Sequence, residues 1–347
     1  MCVANQKGGV AKTTTAVNLA AALALRGHDT LIIDVDPQSN ATTGVGIDHR
    51  TVVASSYDLM VGGAALNEVV LPTAVDHLFC VPASLDLAGA EIELVGSMAR
   101  EHKLAEALTA AGDSYEIIFL DCPPSLGLIT INALVAAHDL IVPVQCEYYA
   151  LEGLGQLLNT AERVRRALNP ELRISGVLLT MYDARTKLSS QVADEVRAHF
   201  GDLVFKTVVP RSVRLSEAPS YGEPVVTLDP TSRGSISYKL LAAELEARYA
   251  MTVTEPTGDG AGSISATGPA TGPATGPDVR PATPGPGGRG YGTRTAEPDD
   301  LHADWPRVEP WSAIALDEPV TGQAQSTAQS ITQSITQSMT RSARTES

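Results

Sequence analysis

Lys7-Gly8-Gly9-Val10-Ala11-Lys12-Thr13-Thr14 is a stretch whose residue types can hold phosphates. Backbone N–H groups of a Gly-rich turn close around phosphate oxygens, and a helix opening at about Thr13 adds its N-terminal partial positive charge. Lys12 then reaches the β- and γ-phosphates, and the Thr13 hydroxyl is offered to Mg2+, a hard cation that keeps several waters and takes few protein ligands. The ordinary Walker A pattern G-x-x-x-x-G-K-[ST], aligned on Lys12, calls for glycine where the chain has Gln6 and Ala11. Here the glycines stand at Gly8 and Gly9, and an added lysine, Lys7, lies across the turn from Lys12 with its task unassigned. Alone, such an octapeptide would read as a solvated turn. Its flanks decide otherwise: Val3-Ala4 begins an apolar entry strand, Ala16, Val17, Leu19, Ala20, Leu23 and Ala24 form a helical stripe, and Gly27 supplies a C-cap.

Hydrolysis needs a metal and an oriented water as well as a phosphate loop. Two apolar runs end in acids: Thr30-Leu31-Ile32-Ile33-Asp34-Val35-Asp36-Pro37 and Ile117-Ile118-Phe119-Leu120-Asp121-Cys122-Pro123-Pro124. Parallel sheets bind ligands outside the carboxyl ends of their strands, so both acid clusters are expected beside the phosphate loop. Asp121 reads as the Walker B acid that serves Mg2+, and Asp36 as the residue that positions the attacking water. Asp34 is left between a supporting role, to Lys12 or the metal's waters, and a direct one. For any one of these acids alone, a helix cap or turn former is the plainer account.

Elements that could hold these residues alternate along the chain. Further strands are expected at Leu140–Val144, Gly176–Thr180 and Val204–Val209. Helices are expected at Gly153–Leu168, Ser189–Phe200 and Gly234–Met251, the last with Ile236, Leu240, Leu241 and Leu245 turned inward. Strand and helix in alternation specify a doubly wound, mostly parallel α/β sheet flanked by helices, a P-loop NTPase architecture.

The 347 residues are 44% hydrophobic, enough for a full core, but the composition changes at about Thr252. Residues 252–347 are rich in Gly, Pro, Ser and Thr and carry the Ala-Thr-Gly-Pro repeat from Ala266 to Pro277. That composition has too little apolar surface to offset its ordering entropy, so a folded domain over 1–251 and a disordered tail over 252–347 are expected. Two tail features stand out: both tryptophans, Trp305 and Trp311, in an acidic, Pro-broken stretch that suits docking, and the period-four run Ser330–Met339, read as a simple repeat expansion. The four cysteines show no C-x-x-C spacing, and no signal peptide or long apolar run is present. A cytoplasmic protein with reduced thiols and no stable membrane association is expected.

The net charge of −15 repels nucleic acid at long range. The tail holds 11 acids and six bases, which leaves the first 251 residues at −10. Affinity for DNA would need a local patch. The candidates are Arg211, Arg214 and Arg233, and, on one helix, Arg163, Arg165 and Arg166; spacing alone reads them as solvated surface.

Four strings together resemble the ParA/Soj class of partitioning ATPases, the deviant Walker A family. They are Ala4 to Thr15, Asp34-Val35-Asp36-Pro37-Gln38, Phe119 to Gly127, and Val209-Pro210-Arg211-Ser212-Val213-Arg214-Leu215-Ser216-Glu217-Ala218-Pro219-Ser220-Tyr221-Gly222. The last is the most specific, because no general nucleotide chemistry calls for it. The resemblance covers about residues 1–250. It implies ATP and Mg2+ as cofactors, with Gly8, Gly9, Val10, Ala11, Lys12, Thr13 and Thr14 around the phosphates and Thr13 and Asp121 at the metal. It implies that Lys7 crosses a nucleotide-sandwich homodimer to the partner's ATP, that Gly8 lies where the subunits meet, and that Met181, Asp183, Pro210 and Arg211 lie near adenine. It also implies nonspecific binding of double-stranded DNA through Arg214 with Arg211 and Arg233, association with the nucleoid, and a ParB-like centromere-binding partner that stimulates hydrolysis. In this reading Lys7, Lys12 and Asp36 carry the catalysis.

The chain departs from the family twice. Ala11 replaces the usual glycine, which a helical backbone tolerates and a positive φ would penalise by about 1 kcal/mol. Relatives also carry more residues before Ala4, which implies a clipped strand at a sheet edge or a start placed too late. Two other functions share the loop: a membrane-surface ATPase of the cell-division-site type, which needs a basic amphipathic anchor that Ser330–Met339 lacks, and a nucleotide-switched regulator of replication or transcription.

Overall fold

The apolar runs ending in Asp34 and Asp121 are buried along almost their whole length and lie side by side in the sheet. Such runs, apolar on both faces, are the signature of parallel strands covered on two sides. The computed structural model describes residues 1–112, 114–147 and 152–251. In chain order the elements are β1 (Cys2–Val3), α1 (Lys12–Ala24), β2 (Thr30–Asp34), α2 (Asn40–Gly44), a π-helical turn at Asp58–Gly62, α3 (Leu66–Val69), β3 (Leu71–Pro72), β4 (Leu78–Val81), α4 (Leu87–Val95), α5 (Lys103–Ala111), β5 (Ile117–Asp121), α6 (Leu128–Ala136), β6 (Asp139–Gln145), α7 (Glu152–Ala167), β7 (Arg173–Thr180), α8 (Lys187–Phe200), α9 (Val213–Glu217), α10 (Val225–Leu228) and α11 (Arg233–Tyr249). The tail features, Trp305, Trp311, the Ala-Thr-Gly-Pro repeat and the run Ser330–Met339, lie outside the described residues.

The sheet runs β3-β4-β2-β5-β1-β6-β7, parallel throughout except for the antiparallel β3 at one edge. Two cores form, one on each face. Leu19, Leu23, Tyr238, Leu241 and Leu245 from α1 and α11 are buried on one side; Leu87, Leu104, Ala133, Leu157 and Val196 from α4 to α8 are buried on the other. Each large aliphatic side chain taken out of water this way contributes about 1.5–3 kcal/mol. The fold is the doubly wound one read from the alternation of elements.

Four details correct the sequence reading. The short β1 is no edge strand: it lies mid-sheet between β5 and β1's other neighbour β6, and the Met1 amine donates to the Ile118 carbonyl at 2.6 Å. The expected strand Val204–Val209 does not form as a ladder. Phe205 and Val209 donate to the Val177 and Leu179 carbonyls, but the Lys206 and Thr207 N–H groups between them are taken by the Glu244 carboxylate from α11, at 2.8 and 2.9 Å. On α11 Leu240 is exposed and Tyr238 is buried in its stead, with its hydroxyl 3.1 Å from the Thr15 hydroxyl. The strands β3 and β4 were not anticipated at all.

Gly27 performs as expected. It adopts φ 96°, its N–H bonds the Ala24 carbonyl, and the next residue, His28, bonds that of Leu23. This is the paired pattern of a Schellman cap, which needs a left-handed residue at that point. Among the described residues no helix is long and apolar enough to cross a membrane.

Candidate phosphate and metal site

The turn from β1 into α1 is fixed by its own ends. Asn5 donates its amide to the Pro143 carbonyl at 2.7 Å and accepts the Lys7 N–H at 3.0 Å. The Thr180 hydroxyl at the end of β7 donates to the Val10 carbonyl at 3.0 Å. Asn5 and Thr180 thus tie the loop to β6 and β7, the two strands on one side of β1, and neither was singled out in the sequence. Gly9 has φ 75°. Gly8 and Gly9 are exposed, and an added Cβ at either would meet nothing within the chain. Space within the subunit therefore does not account for Gly8.

Ala11 settles the question its type raised. It is the N-cap of α1 with φ 69° and ψ 34°, a left-handed residue with a side chain, and its methyl costs about 1 kcal/mol there. We expect Ala11→Gly to raise stability by about 0.5–1 kcal/mol, or about 1–4 °C in Tm for a domain of this size. A thermal melt that shows no rise would mean the strain is absorbed elsewhere in the loop.

Lys12, the first residue of α1, is 7% exposed, and its ammonium donates to the Lys7 carbonyl at 3.3 Å. Burial pushes its pKa down, opposed by the charge of Asp121. Among the described residues no carboxylate pairs with it, so most of its donor capacity is held without a partner there.

The register of the sheet sets Asp34 directly opposite Asp121 and Val3 on the other flank of Asp121. The two acids differ in their surroundings. Asp34 is saturated: one oxygen accepts the Asp36 N–H at 3.1 Å, the other the Thr42 N–H and hydroxyl at 2.8 and 2.7 Å. Burial still raises its pKa to about 6, with the Thr42 bonds working against the rise. Asp34 is a scaffold for the 36–42 loop, a role different from both of those left open for it, since its oxygens are taken by Asp36 and Thr42 and not by Lys12. Asp121 is 0% exposed and both its oxygens lack a hydrogen-bond partner. Burial, then the charge of Asp34, holds its pKa well above the carboxylate range; the Thr13 hydroxyl is close enough to temper this without making a hydrogen bond of ordinary geometry.

Two orphaned carboxylate oxygens in a buried position are a vacancy in hydrogen bonding that a hard cation and its waters would fill. Among the described residues no group of three His, Cys, Asp or Glu could hold a metal alone. A single carboxylate with one hydroxyl suits Mg2+, which takes most of its ligands from water and phosphate. Asp36 is 6% exposed; its Oδ1 accepts the Gln38 N–H at 3.0 Å, and its other oxygen is left for a further donor. The neighbouring Cys122 is packing, as expected: its sulfur lies 3.3 Å from that of Cys2, and all four cysteines are buried and free.

Met181, Asp183, Pro210 and Arg211 are brought together. Tyr182 and Pro210 form an isolated parallel bridge, with Tyr182 N–H on the Val209 carbonyl and Arg211 N–H on the Tyr182 carbonyl. Asp183 is gripped by Arg185 through both oxygens, at 2.9 and 2.7 Å, which holds its pKa down at about 2.

The three candidate DNA-binding arginines divide. Gly234 approaches Leu215 so closely that a Cβ would collide with it, which sets Arg233 beside α9 and Arg214. Arg211 and Arg233 are exposed and carry no ion pair among the described residues, whereas Arg214 is shared between Glu217 and Asp229 at 3.2 and 3.3 Å. Arg165 and Arg166 are both paired with Glu162. The start of α1 is tied to α10, the helix that follows α9: Asn18 donates to the Thr14 carbonyl at 2.8 Å and accepts the Val225 N–H at 2.7 Å. A cavity of about 230 Å3 lined by Thr13, Thr14, Asn18, Leu215 and Glu223 lies between them.

The chain is similar in sequence and fold to known proteins. A family profile described as an AAA domain matches residues 1–174. The sporulation initiation inhibitor protein Soj of Bacillus subtilis is 54% identical over 247 residues, which cover 71% of this chain and 98% of that one. The chromosome partitioning protein ParA of Myxococcus xanthus is 49% identical, over 72% and 88%. Among solved structures, a Mycobacterium smegmatis protein described as cobyrinic acid a,c-diamide synthase with bound ADP and magnesium superposes with a TM-score of 0.64 at 37% identity, over 72% of this chain and 94% of that one.

Proposed function

The chain belongs to the Soj/ParA family of chromosome-partitioning ATPases, and from that membership we propose that it is an ATP-driven switch for DNA segregation: ATP closes a homodimer, the dimer binds DNA without sequence preference, and a ParB-type partner triggers hydrolysis and release. The observation that carries this reading is the juxtaposition of buried Lys12 with Asp121, whose two oxygens are unpartnered, at the end of the phosphate loop. ADP and magnesium in the M. smegmatis relative support ATP and Mg2+ as the ligands here.

Each group has a task under this reading. The N–H groups of Gly8 to Thr14 and the N-terminus of α1 surround the phosphates, and Lys12 neutralises charge on them. Thr13 and Asp121 hold Mg2+, which when bound stabilises the charge that develops on the transferred phosphoryl oxygens. Asp36, braced by Gln38 and Asp34, orients the attacking water. The paired Met181–Asp183 and Pro210–Arg211 segments flank the adenine. Asn18 ties the start of α1 to α10, the helix that follows α9, which gives the nucleotide a route to the arginines.

Lys7 is the discriminating residue for the dimer. Its side chain makes no hydrogen bond or ion pair among the described residues of its own subunit, and Gly8 beside it leaves open space. Lys7→Ala should abolish ATP-dependent self-association in analytical ultracentrifugation while the monomer retains nucleotide. Unchanged dimerisation would refute the sandwich arrangement.

Phosphate contacts on an acidic chain make binding steeply salt-dependent. Arg211→Glu and Arg233→Glu should each lower the slope of log K against log salt by about one in DNA co-sedimentation. Arg214→Ala should lower it less, because Glu217 and Asp229 already share its charge. No change at any of the three sites would show that the patch lies elsewhere, and an effect at Arg214 equal to the other two would show that its ion pairs do not withhold its charge from DNA.

A further inference from the structure

The helix α4 exposes what a core helix buries. Its inward face is Leu87, Ala90 and Leu94, and on the opposite face Ala88, Ile92 and Val95 repeat at three- and four-residue spacing, with Leu85 in the turn before the helix and Met98 just beyond it. Leu85, Ile92, Val95 and Met98 are 72, 79, 61 and 90% exposed. Single exposed apolar residues need no explanation, but a contiguous stripe does. Carboxylates border it on both sides: Asp86 and Glu93 on one flank and Glu91 on the other, none of them ion-paired among the described residues. The cations that follow in the chain, Arg100 and Lys103, are already paired with Glu101 and Glu106.

We propose that this face of α4 is the docking surface for a basic amphipathic helix, a segment of the partner that stimulates hydrolysis. The occupant follows from complementarity: an apolar stripe rimmed by acids that have no cation partner among the described residues, Glu93 accepting only from the Tyr57 hydroxyl, fits a helix with an apolar face rimmed by Lys and Arg. A second copy of this chain would set the acids of one stripe against those of the other. The location supports a hydrolysis-stimulating partner, since the Glu91 carboxylate lies against Gly127, where a Cβ would collide with it. Gly127 ends the loop that runs from Asp121 to α6, so a ligand on α4 bears on the strand end that carries the metal-site acid. The identity of the partner rests on the segregation-switch reading; the surface itself does not.

The probe is a fluorescein-labelled synthetic helix of 16 residues with Leu at the i, i+3, i+4 and i+7 positions and Lys on the rims, titrated by anisotropy into the full chain with ATP and Mg2+. A scrambled peptide of identical composition controls for bulk attraction to an acidic protein. The helix should bind about tenfold tighter than the scramble, the double variant Ile92→Lys with Val95→Lys should abolish that preference, and Asp86→Lys should weaken it severalfold. All three residues are exposed, and an unchanged Tm verifies folding. Equal binding of helix and scramble, or a preference that survives the double variant, overturns the proposal. So does loss of ATP-dependent self-association in the double variant, which would make the stripe a seam between copies. Loss of ATP-dependent DNA co-sedimentation in the unaltered protein would refute the switch reading, whatever the peptide does.

Discussion

Lys12→Ala is expected to weaken ATP binding by at least about a hundredfold, the loss of two charge-assisted hydrogen bonds to phosphate at about 1.5–3 kcal/mol each. Lys12 is buried, and among the described residues its ammonium bonds the Lys7 carbonyl alone, at 3.3 Å, so its remaining donors are held in place for an anion. Burial already lowers its pKa, which means that the folded protein bears a cost for the charge when no anion is present. The apo variant should therefore melt at the same temperature as the unaltered chain or higher. This separates lost binding from lost folding, since a truncation that merely damaged the loop would lower Tm. Isothermal titration with ATP and Mg2+, beside a melt of both apo proteins, measures it. ATP affinity retained within threefold would remove Lys12 from the phosphate site.

The elements of this site were legible in the sequence to the extent that their signals were local. An apolar run that ends in an acid needs no knowledge of the rest of the fold, and Asp34 and Asp121 came out opposite each other in the sheet. Gly27 was legible for the same reason, because a helix stop is written in adjacent residues. What failed depended on distant partners. Val204–Val209 has the composition of a strand, but Glu244, far along the chain on α11, takes two of its N–H groups. Leu240 fits an inward period, yet the buried position goes to Tyr238, whose hydroxyl meets Thr15. Thr42, which saturates Asp34, and Thr180, which anchors Val10, are polar residues in unremarkable strings. β3 is two residues long, too short for any period to show. Ala11 was legible as an anomaly only; its φ had to be seen.

Asp34 at the end of β2 and Asp36 two residues beyond it make opposite predictions, and the contrast tests the assignment of chemistry more sharply than either alone. Asp36→Ala should cut ATP turnover by about 10²–10⁴, the usual contribution of a group that handles the attacking water. ATP affinity should stay within a few-fold, because Asp36 uses one oxygen on the Gln38 N–H and lies beyond the phosphate loop itself. In the segregation-switch reading, such a protein is trapped with ATP, and DNA co-sedimentation should persist long after the unaltered protein has released. Asp34→Ala should do something else. It strands three donors, the Asp36 N–H and the Thr42 N–H and hydroxyl, in a fully buried place, at about 1–3 kcal/mol for each one left unsatisfied. Its first effect is on Tm, and any loss of turnover follows from a loosened 36–42 loop. Single-turnover hydrolysis and thermal melts on both variants separate the roles. Turnover within tenfold of normal in Asp36→Ala would move the water-orienting task to another residue; a large drop in Tm there would make Asp36 a second scaffold acid beside Asp34.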